Sequence, residues 1–576
     1  MIEGFALGRA ADRLRAADLR TSAMRQVSRH WPVLLLVASA GLVYAGFQLY
    51  TGEMLEDALI TYRYAENLAL GKGFVYNEGE RVLGTTTPLL TIILALCGRA
   101  WGVTQIPAIS MAMMWCATLA TGVLGYSALL HLGIPRAVAL VAPALFYFHP
   151  AIVWIATGGM ETPLVLLLMA LSFHAYVVRR PTLASTALGL LVLTRPDGIV
   201  WACLLGTVVL ARERQRWRAA VLPGAAVIGL WLAFAWWYFG TPVPHSIVAK
   251  SVIGQDPELG GLLSARRVWR YYYWVSEALG VPWPGNRTWI MSALLALSVP
   301  AILADRRAWA LGVLVMFTVA FPLVMYAGRA PTVFPWYLLP LTWASIPVIV
   351  FALVQGCRSA VALLRLPRSF GRIVIASVVA VIAGTDLWSA VGEFRRDRAY
   401  ELNERTTRQA IGTWLRDHTR PDAVVAMEAI GYQGYYSHRR VLDLAGLVSP
   451  EVVEIVRTAS SKPAAIYRIL SELCPDYLVL RSFEVDQNRS FYRGPLFATT
   501  AQRDYFARHY AEVRRFVAPD VVWGQLRSLT IYRRLTSGEA HLTRSRASGR
   551  HVGGEALPVA VTLDVHQSAR TVSPNA

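Results

Sequence analysis

Along most of this chain apolar residues do not alternate with polar ones but run on. Apolar runs fall at 31–50, 88–106, 107–131, 137–156, 161–178, 182–211, 219–239, 289–304, 308–327, 336–356 and 373–391. As helix, a run of about 18 residues or more matches the thickness of a bilayer's hydrocarbon core. The pattern therefore predicts a bundle of membrane-crossing helices over 31–391. The 182–211 run is interrupted by Thr194-Arg195-Pro196-Asp197-Gly198 and reads as two shorter helices. Polar punctuation leaves two larger loops, 51–87 and 240–288. After about residue 398 the period changes. Charged, helix-like stretches alternate with short β-rich runs at Ala423–Met427, Arg440–Leu444, Tyr477–Leu480 and Ser528–Tyr532. That texture predicts a small α/β domain over 398–535, followed by a disordered tail over 536–576, where Ser, Arg, Thr and Gly dominate.

Composition supports lipid as the solvent: 55% of the 576 residues are hydrophobic and 16% charged, against about 25% charged in soluble domains. The net charge of +19 comes from 53 arginines and only three lysines, many of them in short loops. By the positive-inside rule, Arg179-Arg180, the 212–218 cluster, Arg306-Arg307 and the 358–372 cluster lie in the cytoplasm, with an arginine-rich arm over 1–30. Loops 51–87, 240–288 and 328–335, and everything after about 392, then fall outside. Five runs separate the arm from Arg179-Arg180, and an odd number cannot return the chain to the same side. One run between 86 and 160 is therefore re-entrant, split or not a span, and the expectation is about 11–13 spans. No basic stripe with interleaved aromatics lies outside the helices, which argues against nucleic acid. None of the five cysteines has metal-ligand spacing.

The first outer loop holds the candidate chemistry. Six carboxylates occupy 51–85. Leu55, Leu59 and Tyr62 recur at helical spacing, predicting a helix along the bilayer surface with Glu56, Asp57 and Arg63 turned away from lipid. A carboxylate held there can act as a general base. The plain alternative is a solvated juxtamembrane helix. The loop's length, its Gly71-Lys72-Gly73 triplet and its Asn77-Glu78-Gly79-Glu80 turn are elaborate for a mere connector.

The string Glu56-Asp57-Ala58-Leu59-Ile60, then Arg63-Tyr64-Ala65-Glu66-Asn67 and Gly71-Lys72-Gly73-Phe74-Val75-Tyr76-Asn77-Glu78-Gly79-Glu80-Arg81-Val82, resembles the first loop of GT-C membrane glycosyltransferases. Within them it is most similar to the branch of the mycobacterial terminal arabinofuranosyltransferase. That branch usually has Asp-Asp where Glu56-Asp57 stands, so Asp57 matches the second acid, and Leu83 departs from its pattern. Later segments resemble it too: Thr157-Gly158-Gly159-Met160-Glu161-Thr162-Pro163, Leu193 through Gly198, Gly240 through Lys250 (with His245 where Asn is usual), Phe334 through Pro340, and Gly431-Tyr432 through Asp443-Leu444-Ala445-Gly446-Leu447. The likeness covers about 50–450.

The resemblance implies an α-helical polytopic GT-C-like membrane protein with a C-terminal extracytoplasmic α/β domain, in a bacterial plasma (inner) membrane. It also implies a polyprenyl-phosphate-linked sugar donor, an envelope glycan or lipid acceptor, and an inverting transfer. Asp57, with Glu56 beside it, is the expected base, and Arg63, Lys72, His245 and Lys250 are the expected partners of the leaving phosphate. Tyr64, Glu161, Arg195, Trp336 and Tyr337 are expected site neighbours. A helix start would equally account for Glu161, pairing with Asp197 for Arg195, and an interfacial belt for Trp336 and Tyr337. No cofactor is implied with certainty, and a divalent metal is left open. The competing readings are a transporter or flippase of lipid-linked sugars, for which matched broken repeats are expected, and a transferase acting on lipid A or protein.

Overall fold

A computed structural model describes residues 31–253 (53 excepted), 264, 266, 296, 298–327, 334–486 (366 excepted), 495–519 and 528–536. The expected arm 1–30, most of loop 240–288 and the tail after 536 lie outside the described residues. Among the described residues, five helices are long and apolar enough to cross a membrane: Trp31–Thr51, Val103–His131, Arg214–Phe239, Ala308–Ala327 and Pro335–Leu363. A sixth counts if the pair Arg136–Phe148 and Pro150–Thr157, bent by 60°, is one broken span. The chain is thus a multi-pass membrane protein.

The expected count of 11–13 covers the whole chain, and most of the 289–304 run lies outside the described residues. Three of the apolar runs fold as the shorter helices Pro88–Trp101, Thr162–Val177 and Pro181–Thr194, and the 373–391 run lies inside the helix Arg368–Glu404. Between 86 and 160 two runs depart from a straight full-length span: the short helix Pro88–Trp101 and the pair broken at His149-Pro150, where proline removes a backbone donor. The 182–211 run divides at Arg195–Gly198, as its proline predicts.

The C-terminal region is an α/β unit around one five-stranded sheet. In chain order its strands are β1 (Val424–Met427), β2 (Arg440–Asp443), β3 (Tyr477–Arg481), β4 (Tyr510–Val517) and β5 (Ser528–Arg534). Their spatial order is β2-β1-β3-β5-β4, with β1 parallel to β2 and β3, and β5 antiparallel to β3 and β4. Four strands coincide with the β-rich runs. β4 was not foreseen, because its sequence, Tyr-Ala-Glu-Val-Arg-Arg-Phe-Val, carries charges on an edge strand whose middle is exposed. Edges tolerate such charges and benefit from them.

This unit is not tethered loosely. Tyr432 and Tyr435, from the helix Ile430–Ser437, belong to the same apolar core as Leu55, Leu59 and Tyr62. The first loop also completes the sheet, whose edge strand β2 it meets. The Asn77 side chain accepts the Val441 N–H and donates to the Val441 carbonyl, both at 2.9 Å, and Glu80 pairs with Arg440 at 2.6 Å.

Candidate active site

The first-loop helix forms over Glu56–Ala69, with both acids in its first turn, where the helix dipole favours negative charge. The predicted apolar stripe is buried, but so are Thr61, Arg63, Tyr64 and Ala65. The helix therefore does not lie on lipid as expected. It is enclosed, because the helix Ile430–Ser437 covers the side that composition alone assigned to water.

That covered side is a rivet. Arg63 donates through Nε to the Tyr76 carbonyl at 2.9 Å and through its two terminal nitrogens to the carbonyls of Gly434 and Arg439, and it lies over the Tyr76 ring. Its fork is engaged by backbone, so the expected phosphate role gives way to a role at the interface. Tyr64 is likewise structural. Its hydroxyl donates to Val82 and accepts from the Gly84 N–H, closing the end of the loop. Glu56 accepts the Gly431 N–H, and a side chain at 431 would collide with Glu56 itself, so the close approach requires glycine. Burial, then neighbouring Asp57, pushes the Glu56 carboxyl up to about 8, against the pull of Arg408. Tyr432 donates to the Met54 carbonyl and to Glu401, holding the residues that lead into the helix.

Asp57 is the exception. Among the described residues its carboxylate makes no hydrogen bond or ion pair, although it is partly buried. Its charge is felt by Glu161 and Lys250. The Gly158-Gly159 turn brings Glu161 there. The Gly158 carbonyl accepts the Leu55 N–H at 3.0 Å, and the Gly159 carbonyl accepts from the Tyr62 and Ser110 hydroxyls. Gly159 has φ +76, a conformation that favours glycine. Burial pushes the Glu161 carboxyl up to about 7, Arg195 pulls it back, and Asp57 and Asp197 add to the rise.

Lys250 completes the cluster from the helix His245–Val252. It is half-buried, its ammonium is 3.5 Å from the Tyr337 hydroxyl, and it stands over the rings of Phe334 and Tyr337. Burial works against its charge, but Tyr337, Asp57 and Glu161 outweigh it and hold its pKa above the ordinary value. Arg195, buried at the helix break, forks onto Asp197 at 2.7 Å through both bonds, donates to Thr162 and the Trp336 carbonyl, and lies over Tyr337. It therefore braces the cluster's floor. Asp57, Glu161, Arg195, Lys250, Trp336 and Tyr337 thus come from five separate segments into one neighbourhood.

Lys72 and His245 differ. Lys72 forms an exposed ion pair with Glu78 at 3.1 Å. His245 starts its helix, with its N–H donated to the carbonyl of the buried Leu83 at 2.7 Å, so the departing residue still joins the two loops through its backbone. Burial, and after it the nearby Arg457, lowers the His245 imidazole from its ordinary value. His438 approaches Glu66 at 4.0 Å, but burial and Arg63 press it down to about 4, so the two do not form an ion pair at neutral pH. Asp443 closes its own turn by accepting from the Ala445 and Leu447 N–H groups. Glu401, Glu404 and Arg408 escaped the sequence reading. Glu404 and Arg408 carry a signal, an i,i+4 acid–base pair at 2.8 Å on one helix face. Among the described residues no group of three or more His, Cys, Asp or Glu side chains could hold a metal.

Residues 393–534 match a domain family of unknown function, DUF8728. The terminal β-(1→2)-arabinofuranosyltransferase of Mycobacterium tuberculosis is 30% identical over 248 residues, 39% of each chain. Its counterpart in Corynebacterium glutamicum is 30% identical over 229 residues, 34% of this chain and 33% of that one. The aligned stretches thus span well under half the length of either relative. Among solved structures, ArnT from Cupriavidus metallidurans bound to undecaprenyl phosphate matches with a TM-score of 0.52 and 13% identity, over 88% of this chain and 99% of that one. The apo form of the same protein gives 0.51 and 14%. The chain therefore has an ArnT-like GT-C fold and is similar in sequence to the terminal arabinofuranosyltransferases.

Proposed function

We propose that this chain is an inverting membrane glycosyltransferase that moves a sugar from a polyprenyl-phosphate donor to an envelope glycan or lipid acceptor on the extracytoplasmic face of a bacterial inner membrane. Asp57 accepts the proton of the acceptor hydroxyl, and the freed oxygen pair attacks the anomeric carbon. The carbon–oxygen bond to phosphate then breaks, and polyprenyl phosphate leaves with the bonding pair. Lys250 faces that charge as it grows, where a preplaced cation is most effective. Asp57 later returns its proton to solvent. The observation that carries the reading is the convergence of an uncommitted carboxylate and a half-buried ammonium from two different loops. The similarity to arabinofuranosyltransferases suggests an arabinofuranose donor.

The test is transfer from decaprenyl-phosphate arabinofuranose to a short arabinofuranoside by the purified chain in nanodiscs, with and without a chelator. Transfer in both conditions supports the reading without a metal. No transfer, together with movement of the donor across sealed vesicles, replaces it with a flippase. Alkaline phosphatase fused at residue 535 should be active, and an inactive fusion beside an active cytoplasmic reporter would reverse the sidedness.

A further inference from the structure

A cavity of about 650 Å³ opens where the C-terminal unit meets the segment leading into the first-loop helix. Its walls are Met54, three residues before Asp57, and side chains from Arg405–His418, Tyr436 and the edge strand β4. The charged groups lining it are already engaged. Arg405 pairs with Glu401 at 2.9 Å and donates to the Gly52 carbonyl, and Asp417 pairs with Arg416 at 2.9 Å. What remains is neutral. Among the described residues, the Gln409 amide and the Thr413 hydroxyl make no hydrogen bond, and neither does the Tyr436 hydroxyl. Trp414, backed by the His418 ring stacked parallel at 4.8 Å, stands in the same wall as Phe516.

Rigid ring faces beside unengaged neutral donors and acceptors suit a ligand with C–H faces and many hydroxyls, and do not suit an anion. The volume lies within the usual range for small-molecule sites, about 300–1,000 Å³. It contrasts with the charged neighbourhood of Lys250, where Asp57 and Glu161 act on the ammonium. We infer that this groove is a saccharide-binding subsite that holds an extended stretch of neutral glycan at a distance from the sugar being modified. The inference rests on the transferase reading only for its purpose. The groove's chemistry stands without it.

Saturation-transfer NMR on the full chain in nanodiscs, with a linear arabinofuranose tetrasaccharide as probe and inorganic phosphate as competitor, tests it. The tetrasaccharide should give a saturable signal that phosphate does not displace. Gln409→Ala, which removes one neutral hydrogen-bonding group, should weaken binding roughly 3- to 10-fold, and Trp414→Ala at least as much. In transfer assays both should raise the acceptor KM more than they lower kcat. Gln409→Ala keeps the inference testable if Trp414→Ala fails to fold. Asp57→Asn should bind the tetrasaccharide like the native chain, so a failure of the catalytic reading would leave this result standing. Undiminished binding in folded Gln409→Ala, or displacement by phosphate, would overturn it.

Discussion

The two sides of the first-loop helix are built to opposite rules. Toward the C-terminal unit, Arg63 has carbonyl partners on three of its nitrogens, Tyr64 both donates and accepts, and Glu56 holds the Gly431 N–H. Toward the membrane body and the helix His245–Val252, Asp57 has no hydrogen-bond partner among the described residues, and Lys250 has one hydrogen bond, at the 3.5 Å limit, beside its two ring contacts. Buried polar groups are normally satisfied, because an orphan costs about 1–3 kcal/mol. Asp57 and Lys250 are only half-buried and so are not orphans of that kind, and the open side keeps a carboxylate and an ammonium available to a ligand. Position 56 secures the helix, and position 57 remains available.

The sharpest way to break the comparison is to exchange the two acids' fates. Adjacent helical residues point about 100° apart, so only one of them can face a given hydroxyl. Asp57→Asn keeps shape and removes basicity, and transfer should fall about 10²- to 10⁴-fold with folding and donor binding intact. Glu56→Gln keeps its acceptor oxygen for the Gly431 N–H and should show a milder defect. Steady-state rates for the two proteins decide. An active Asp57→Asn beside a dead Glu56→Gln would hand the basic role to Glu56.

The sequence carried this contrast only in part. Helical spacing and two acids at a helix start were enough to place the helix, and the Arg195-Pro196 break and four of five strands followed from local chemistry. What periodicity could not supply was the second cover. Nothing within 51–87 says that Gly431, Gly434 and Arg439, some 370 residues away, enclose the polar side. Arg63 therefore looked like a solvent-facing cation when it is a buried one. Lys72 and Lys250 looked equivalent as rare lysines in outer loops, and only the packing of separate segments distinguishes them. β4 was missed because an exposed edge needs no apolar alternation.

Lys250→Ala should come next in size. Losing a charge-assisted contact to an ionised group costs about 1.5–3 kcal/mol, which is roughly 10- to 150-fold in donor affinity or rate. Unchanged donor kinetics would remove Lys250 from the phosphate role and leave it as a brace for Tyr337.

Glu161 sharpens the same side through pH. Its carboxyl, raised by burial to about 7, is mostly neutral below that value and gains charge above it. A new negative charge beside Lys250 opposes a phosphate, so the donor KM should rise a few-fold as pH increases from 6 to 8. Because the folded value lies above that of an unfolded glutamate, stability from the neutral acid is present at low pH and is lost as pH rises through about 7. Glu161→Gln should flatten the KM profile, and an unaltered profile would show that the inflection belongs to another group.

The smallest effect is predicted for Lys72, and its smallness is the point. The ammonium is 3.1 Å from Glu78, with side-chain exposures of 41% and 69%, and exposed pairs of this kind are worth about 0–1 kcal/mol. Its placement follows from its neighbours, since Gly71 and Gly73 both take positive φ, +78 and +99, and turn the residue between them outward. Lys72→Ala should therefore leave donor KM and kcat within about twofold of the native chain, well inside the limit set by an exposed pair. Measured beside Lys250→Ala under one set of donor concentrations, the pair of variants separates two lysines that the sequence presents alike. A loss in Lys72→Ala as large as that in Lys250→Ala would mean that the glycine-flanked turn moves onto the donor, and that the open side of the helix extends to its far end.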